Sequence, residues 1–285
     1  MRASAYISRG QFILSPFVFS GAVRRPKIVF VCGDHEYSGE QTLPQFGAEL
    51  SRRYGLETQV LKSAPDQNGE TDIPGLEALA GADLAVFYLR WRRLPLSQLG
   101  LIDSYVKAGK PVMGLRTTSH SFSYPKDDAL VGWNGWAKDV FGTPPGWNVE
   151  GHTHYGHQAT TRVSRNRAAR RDPILVGVAE EFVAPSWLYH VLPNYPPADA
   201  RVLLYGDAIQ PNKPAVRNPV AWTWKNRFGA RSFYTSLGHP GDFAIESFQR
   251  LLVNAVFWEL GRKAPKDWGG AMKIDVPYRG MVKSK

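Results

Sequence analysis

Residues 109 to 120, GKPVMGLRTTSH, join an apolar, strand-like run to a turn that is rich in polar side chains. The segment before them, from Leu96 to Ala108, repeats apolar residues at helical spacing, and Gly109 stands where a helix C-terminal cap belongs. The order helix, glycine turn, buried strand and polar turn predicts an αβ unit. Since ligands of α/β sheets bind beyond the carboxyl ends of the strands, we expect the polar turn to lie at the floor of a ligand site.

The same alternation continues on the N-terminal side of this unit. Short apolar runs predict strands over residues 27–32, 57–62 and 83–89, and apolar residues at helical spacing predict a helix between the first two. Crossovers of this length imply parallel strands with right-handed connections. We therefore predict a doubly wound α/β fold with a mostly parallel sheet and helices on both faces.

The C-terminal half is expected to add a hairpin and a long helix. Strand-like runs at residues 220–224 and 232–237 flank residues 228–230, a pattern typical of a hairpin that adds antiparallel strands to the sheet edge. The Arg-rich residues 162–171 are expected to lead into a loop. Residues 243–260 show the clearest helical period in the chain.

Three segments follow from this layout. Residues 1–25 are expected to be a leader or a degenerate signal segment, residues 26–262 a single α/β domain, and residues 263–285 a basic tail that either lies on the surface or frays. The leader leaves two locations open, cytoplasmic or exported. The chain contains no run of about 18 apolar residues, which argues against a transmembrane helix.

Charge and cysteine content narrow the class of partner. The chain has 35 Lys and Arg against 25 Asp and Glu, a net charge of +10, which raises the question of nucleic-acid binding. The positive residues are scattered without a recognition helix, zinc finger or RNP motif, so we do not expect a nucleic-acid partner. The single cysteine, Cys32, excludes an intrachain disulfide, and its place at a strand end is typical of a buried small residue.

The loops after the first, third and fourth predicted strands should meet at the carboxyl edge of the sheet. Their candidate site residues are Asp34, His35, Glu36, Arg90, Arg92, Arg116 and His120. Carboxylates and imidazoles supply acids and bases, so the catalytic group is expected to comprise Asp34, His35, Glu36, Arg116 and His120. Arg90 and Arg92 offer forked donors to a substrate, with surface ion pairs as the alternative.

A second group of histidines stands in GHTHYGH, residues 151–157. Its members are His152, His154 and His157. The first two are two residues apart and would face one side of an extended segment. Three interpretations stay open: ligands of a divalent metal such as zinc or manganese, substrate-binding side chains, or structural histidines. His239 and Asp242, after the last predicted strand, join the substrate-binding candidates.

Several strings along the chain together resemble one known family. They are GDHEYSGEQTLP (33–44), LRWRRLP (89–95), GKPVMGLRTTSHSF (109–122), GHTHYGH (151–157), PVAWTW (219–224), FYTSLGHPGDF (233–243) and LLVNAVFW (251–258). In this order they are similar to the ThuA-like, or trehalose utilisation, family over roughly residues 27–261. The resemblance implies a flavodoxin-like fold of the class I glutamine amidotransferase type.

The resemblance also implies a role with trehalose and related, often oxidised, sugars. Amidotransferases of this fold have a cysteine at the position of Arg116, so glutaminase activity is not expected here. We expect a protein that binds a small sugar and transforms it, as an isomerase or a hydrolase/lyase on a keto-sugar or glycoside, by His and carboxylate acid–base chemistry. The alternatives are a non-catalytic carbohydrate-binding protein and a metal-dependent hydrolase. Trp91, Trp133 and Trp136 either stack on the sugar or pack the core.

Overall fold

One nine-stranded sheet organises residues 24–281, the part of the chain that the computed structural model describes. The strands are, in chain order, β1 (Lys27–Gly33), β2 (Glu57–Lys62), β3 (Leu84–Leu89), β4 (Val112–Leu115), β5 (Thr153–His154), β6 (Thr160–Arg165), β7 (Glu181–Trp187), β8 (Tyr189–His190), β9 (Arg201–Ala208), β10 (Asn218–Lys225) and β11 (Arg231–Thr235). The helices are α1 (Gly39–Tyr54), α2 (Leu96–Lys107), α3 (Trp136–Phe141) and α4 (Glu246–Glu259). Within residues 24–281, no helix has the length and apolar character that crossing a membrane requires. The predicted leader falls outside the described residues, apart from Arg24 and Arg25.

Five strands form the parallel half of the sheet, in the order β2-β1-β3-β4-β11. Side chains of β1 alternate between two cores, because successive residues of a strand point to opposite faces: Phe30 packs with α1 and α4, and Val31 with α2 and α3. Helices therefore cover both faces of the sheet. The predicted doubly wound α/β fold class is confirmed.

The other half of the sheet, β10-β9-β6-β7, is antiparallel, and β5 and β8 pair separately. The prediction that the hairpin of residues 220–224 and 232–237 lies at the sheet edge is wrong. β11 lies in the middle of the sheet, parallel to β4, and β10 connects it to three further strands. The reason is burial: all residues of β11 after Arg231 are buried, as in an interior strand.

The edge of the antiparallel half is formed by strands that the sequence pattern hides. Residues 162–171 were expected to lead into a loop, but the first of them belong to β6. In that strand Arg162 is exposed and Val163 is buried, so a charged residue occupies the solvent side of an alternating strand. The arginines mask the alternation in the sequence.

The described part of the C-terminal tail, residues 263–281, packs along the domain without regular secondary structure. Met272 and Ile274 are buried, and the Gln249 side chain of α4 pairs with the Met272 backbone, accepting at 2.7 Å and donating at 2.8 Å. The tail then reaches the carboxyl edge of the sheet, where Tyr278 stacks on Tyr37 at a ring distance of 5.6 Å. Of the two expected behaviours, this part of the tail lies on the surface of the domain.

Candidate functional site

A sharp turn after β4 forms the floor of the site. Residues 116–120 make one buried 3₁₀ turn, and Arg116 adopts a left-handed φ of 42°. This backbone conformation is uncommon for a residue other than glycine. The Tyr234 hydroxyl holds it by donating to the Arg116 carbonyl at 2.5 Å. The turn thereby fixes the side chains that follow β4 at the carboxyl edge.

The loops after β1 and β3 form one side of the site, called here the arginine wall: His35, Glu36, Arg90 and Arg92. Arg90 Nη1 lies 2.5 Å from His35 Nε2, and the Arg92 guanidinium contacts His35 Nδ1. Arg90 also pairs with Glu36, with Nε and Oε2 2.9 Å apart. Burial, and then the charges of Arg90 and Arg92, lower the pKa of His35 to about 3. His35 is therefore neutral at physiological pH, and each of its ring nitrogens contacts a guanidinium group.

Arg92 lies at the back of this wall and is completely buried. Its guanidinium donates to the Gly69 carbonyl at 2.6 Å and to the Arg90 carbonyl at 2.7 Å. These bonds tie the loop after β2 to the end of β3. The predicted alternative of a surface ion pair does not apply to Arg92, since its partners are backbone oxygens, the Ser63 hydroxyl and His35.

The turn after β4 and the residue before β5 form the opposite side, called here the histidine wall: Ser119, His120 and His152. Ser119 Oγ lies 2.9 Å from His152 Nε2 and 3.0 Å from His120 Nδ1. His152 Nδ1 lies 3.1 Å from the His190 carbonyl oxygen. Burial lowers the pKa of His152 to about 4 and that of His120 well below its ordinary value. Both imidazoles are therefore neutral at physiological pH.

Arg116 lies beneath the two walls as a buried cation. Its guanidinium donates to the Ser236 carbonyl and to the Tyr37 hydroxyl, each at 2.9 Å. Its central carbon lies 4.1 Å from the centroid of the Tyr37 ring and 4.8 Å from that of Tyr189. Within residues 24–281 it forms no ion pair with a carboxylate. Carbonyl and aromatic groups compensate its charge instead.

Two of the predicted carboxylates accept hydrogen bonds from backbone N–H groups. Asp34 accepts from the backbone nitrogen of Glu36 at 3.1 Å and from that of Tyr37 at 2.7 Å, and burial raises its pKa to about 6. Asp242 accepts from the Ser186 nitrogen at 3.1 Å, and burial likewise raises its pKa. Both side chains brace the loops that carry the site, and neither lines the space between the two walls.

A cavity of about 180 Å³ separates the two walls. Its lining residues are Glu36, Tyr37, Arg90, His120, Trp147, His154, His157, Tyr189 and Met281. The predicted residues that stand behind this lining are Asp34, His35, Arg92, Arg116 and His152. His35 and His120 face the same neighbour, since each ring centroid lies 6.0 Å from that of Trp91. The structure thus brings together the loops that the strand order predicted to meet.

Comparison with known proteins agrees with this architecture. Residues 31–259 match the ThuA family, described as trehalose utilisation. The chain belongs to the ThuA family. This membership supports a carbohydrate-related role. No curated protein matches the chain.

Solved structures of ThuA-like proteins share the fold. A putative ThuA-like protein from Bacteroides uniformis is 18% identical, with a TM-score of 0.60 over 90% of this chain and 98% of that one. A second, from Parabacteroides merdae, is also 18% identical, with a TM-score of 0.59 over 86% and 93%. A cytoplasmic protein from Salmonella typhimurium is 12% identical, with a TM-score of 0.52 over 81% and 98%. At these identities the likeness establishes the fold alone.

Two of the three histidines in GHTHYGH of this ThuA-family chain make hydrogen bonds, and the metal-site interpretation stays a prediction. His152 uses both ring nitrogens inside the histidine wall, and His154 Nδ1 accepts from the Gly156 nitrogen at 3.1 Å. Residues 24–281 contain no group of three or more His, Cys, Asp or Glu side chains arranged to hold a metal ion. His154 and His157 remain at the cavity, 4.8 Å apart between ring centroids. Burial lowers the pKa of His154 to about 4.

Two of the three predicted tryptophans lie elsewhere. Trp136 packs against Phe87 at a ring distance of 5.2 Å, as the core-packing interpretation predicts. Trp133 and Trp136 also line a groove of about 820 Å³ beside α2 and α3, which shares no residue with the cavity. Of these three tryptophans, Trp91 is the one at the site, with the Arg90 guanidinium carbon 3.5 Å from its ring centroid.

Several site residues were missed, and all of them except Tyr37 come from parts of the chain far from the predicted loops. They are Tyr37, Trp147, Tyr189, Tyr278 and Met281. The Met281 sulfur lies 3.4 Å from Arg90 Nη1, and the Tyr278 ring lies 4.5 Å from that of His239. His239 therefore lies under the tail, beside the cavity. The sequence around an apolar residue such as Met281 does not indicate that the residue contacts a site built from distant parts of the chain.

Proposed function

We propose that this ThuA-family protein binds one sugar ring in the cavity and transforms it by acid–base catalysis, with His120 as the base. The observation that carries the proposal is a neutral, buried imidazole at the cavity whose Nε2 makes no hydrogen bond within residues 24–281. A positioned imidazole with a free nitrogen is a common general base.

The size of the cavity favours a small ligand. Its volume of about 180 Å³ is below the range of about 300–1,000 Å³ that is usual for drug-sized ligands. A single sugar ring suits this space better than a disaccharide. A longer glycoside would have to displace Met281 of the tail, which closes one side of the cavity.

The lining supplies the groups that a sugar requires. Trp147 and Tyr189 offer apolar ring surfaces, on which the C–H face of a sugar can pack. Arg90 offers forked donors to carbonyl or hydroxyl oxygens, and Glu36 offers an acceptor to hydroxyl groups. Because the two are already paired, their positions are fixed before a ligand binds.

For a keto-sugar these groups define a reaction class. His120 would remove the proton from the carbon next to the carbonyl, and the electron pair would move to the carbonyl oxygen, where Arg90 stabilises the negative charge. Transfer of the hydroxyl proton of that α-carbon to the oxygen, and return of the proton from His120 to the former carbonyl carbon, complete an isomerisation. Loss of a leaving group from the β-carbon, with the proton passing from His120 to the leaving group, completes an elimination. Both outcomes conserve atoms and electrons without a further reactant.

A non-catalytic sugar-binding protein is the second candidate, and one feature favours it. Glu36 is the one carboxylate among the described residues that lines the cavity, and it is paired with Arg90, while Asp34 is bonded to backbone N–H groups. No free carboxyl group therefore stands opposite His120 within the described residues as a second acid or base. Glutaminase chemistry is not proposed, since Arg116 occupies the position of the nucleophilic cysteine.

The test uses purified wild-type protein with glucose and its singly oxidised keto derivatives as single-ring ligands, and with trehalose and its keto derivatives as larger ones. Binding is measured by calorimetry and turnover by proton NMR over time, with Trp147→Ala as the variant that removes an aromatic surface. We expect a keto-sugar to bind and to be converted, and Trp147→Ala to bind more weakly. Binding without conversion would establish the second candidate, and no binding of any of these sugars would contradict both.

A further inference from the structure

We propose that Ser119 and His152 are positioning residues that hold His120 in one tautomer, with the proton on Nδ1 and a bare Nε2 directed to the cavity. The proposal rests on the proposed function only for the role of His120 as a base. The tautomer itself follows from the hydrogen bonds of the histidine wall. A ring nitrogen can accept a proton from substrate only if it carries none.

The chain of assignments begins at His152. Its Nδ1 lies 3.1 Å from the carbonyl oxygen of His190. A carbonyl oxygen only accepts, so Nδ1 of His152 must carry the proton and donate. A neutral imidazole has one N–H, and Nε2 of His152 is therefore an acceptor.

The next partner is Ser119. Its Oγ lies 2.9 Å from His152 Nε2, and a hydroxyl has one proton to donate. The Ser119 hydroxyl therefore donates this proton in a hydrogen bond to His152 Nε2. The competing acceptor, the Arg116 carbonyl, is farther from Oγ at 3.4 Å. Since Ser119 and His152 are both 0% exposed, solvent water cannot take the place of the hydroxyl.

The last assignment concerns His120, whose Nδ1 lies 3.0 Å from Ser119 Oγ. Because the hydroxyl proton is already committed to His152, the oxygen can only accept from His120. His120 therefore carries its proton on Nδ1 and leaves Nε2 bare. The opposite assignment would place the lone pairs of Ser119 Oγ and His152 Nε2 against each other in a dry interior, which is costly.

The test is a nitrogen NMR spectrum of full-length protein labelled with ¹⁵N-histidine, with the His120 signals identified from their loss in His120→Asn. Ring nitrogens with and without a proton have clearly different shifts. We expect a protonated Nδ1 and an unprotonated Nε2 on His120 in the wild type. A wild-type spectrum with the proton on Nε2 of His120 would overturn the proposal without any variant.

Two serine variants separate positioning from general packing. In Ser119→Ala the acceptor of His120 Nδ1–H is removed, and we expect the proton to shift toward Nε2. Ser121→Ala is the matched control, since Ser121 is also buried and directly follows this turn, but its hydroxyl donates to the Thr118 carbonyl at 2.7 Å and makes no hydrogen bond to the His120 ring. An unchanged His120 tautomer in folded Ser119→Ala, or an equal change in both variants, would contradict the proposal.

Turnover provides a second test of the positioning role of Ser119 and His152. If the proposed function holds, Ser119→Ala should lower kcat with little change in KM, because ligand contacts remain while the base is wrongly protonated. His152→Gln, whose amide oxygen can still accept from Ser119, should retain the His120 tautomer and most of kcat. If the wild type converts no sugar, the proposed function fails while the tautomer measured by NMR still decides the positioning role. The two failures are thus distinguishable.

Discussion

The two walls of the cavity each present a neutral histidine, yet the two rings differ in what they can do. On the arginine wall, both nitrogens of His35 face guanidinium groups of Arg90 and Arg92. On the histidine wall, His120 uses only Nδ1, toward Ser119, and keeps Nε2 free. The contrast shows that the number of occupied nitrogens, rather than residue type or depth of burial, decides which histidine is available for proton transfer.

Charge explains why the contrast is stable. The pKa of His35 is held low by burial and by two neighbouring cations, so the ring stays neutral and keeps one nitrogen as an acceptor for an arginine. His120 is kept neutral mainly by burial and then by His152. The arginine wall is therefore suited to hold and orient a ligand, and the histidine wall to exchange a proton with it.

The largest expected difference between the walls is in turnover. His120→Asn should lower kcat by about 10²–10⁴-fold, since a positioned general base contributes that much. His35→Asn should leave turnover within about tenfold, or about 1.4 kcal/mol of barrier. It should instead lower the free energy of unfolding by about 1–3 kcal/mol, because the shorter Asn side chain cannot reach both buried arginines.

Both variants are measured together, by steady-state kinetics on the converted sugar and by urea unfolding. Calorimetry of sugar binding to His120→Asn shows whether the ligand site survives the substitution. Equal loss of kcat in folded His120→Asn and His35→Asn would show that the two walls do not differ in proton transfer. A larger kinetic loss in His35→Asn would reverse it.

The second expected difference is in the response of stability to acid. Unfolded His152 binds a proton near pH 6.5, but the folded residue does so only near pH 4. Acid therefore favours the unfolded chain, and the stabilisation that is present above pH 6.5 is lost as the pH falls toward 4. For this fully buried ring the loss is about 3 kcal/mol. His152→Gln, which does not titrate, should lose that much less between pH 7 and pH 4.

Urea unfolding of wild type and His152→Gln at several pH values measures this difference. Asp34, whose pKa burial raises to about 6, changes stability in the opposite direction, gaining it as the pH falls from 6 toward 3.8. Its contribution is the same in both proteins and cancels in the comparison. Parallel pH profiles for the two proteins would show that His152 binds its proton equally well in the folded and unfolded chains, which contradicts a lowered pKa.

The parallel half of the sheet was predictable because its strands are short apolar runs between helices. In the antiparallel half the outer strands were not predictable, because they carry charge on the solvent side: Arg162 in β6 and Glu181 in β7 interrupt the apolar pattern. The middle position of β11 depends on its pairing with β4, a contact between distant residues. Local periodicity identifies a strand but leaves its neighbours open.

The candidate site divides in the same way. Residues directly after β1, β3 and β4 were predictable, since parallel strands end at one edge of the sheet. Their individual roles were not. Asp34 differs from Glu36 only in where its oxygens point: the first accepts from loop N–H groups, and the second faces the cavity. Tyr189 and Met281 reach the cavity through tertiary packing, which neighbouring residues in the sequence do not encode.

The smallest expected effect concerns Cys32, which belongs to neither wall. It is the penultimate residue of β1, in the core between the sheet and α1, is 1% exposed, and burial raises the pKa of its thiol well above the usual value. A nucleophilic thiolate needs the opposite environment. Cys32→Ala should therefore cost about 1 kcal/mol of stability, as a small buried truncation does, and leave turnover unchanged.

Urea unfolding and kinetics of Cys32→Ala, beside His120→Asn, decide whether a thiol takes part at all. The amidotransferase position for a thiol is the turn after β4, where Arg116 stands with its guanidinium bonded to Ser236 and Tyr37. Cys32 is on a different strand, so it cannot replace that thiol without moving the end of β1. If folded Cys32→Ala lost turnover as fully as His120→Asn, the reacting group would lie below the arginine wall, and proton transfer at the histidine wall would no longer explain catalysis.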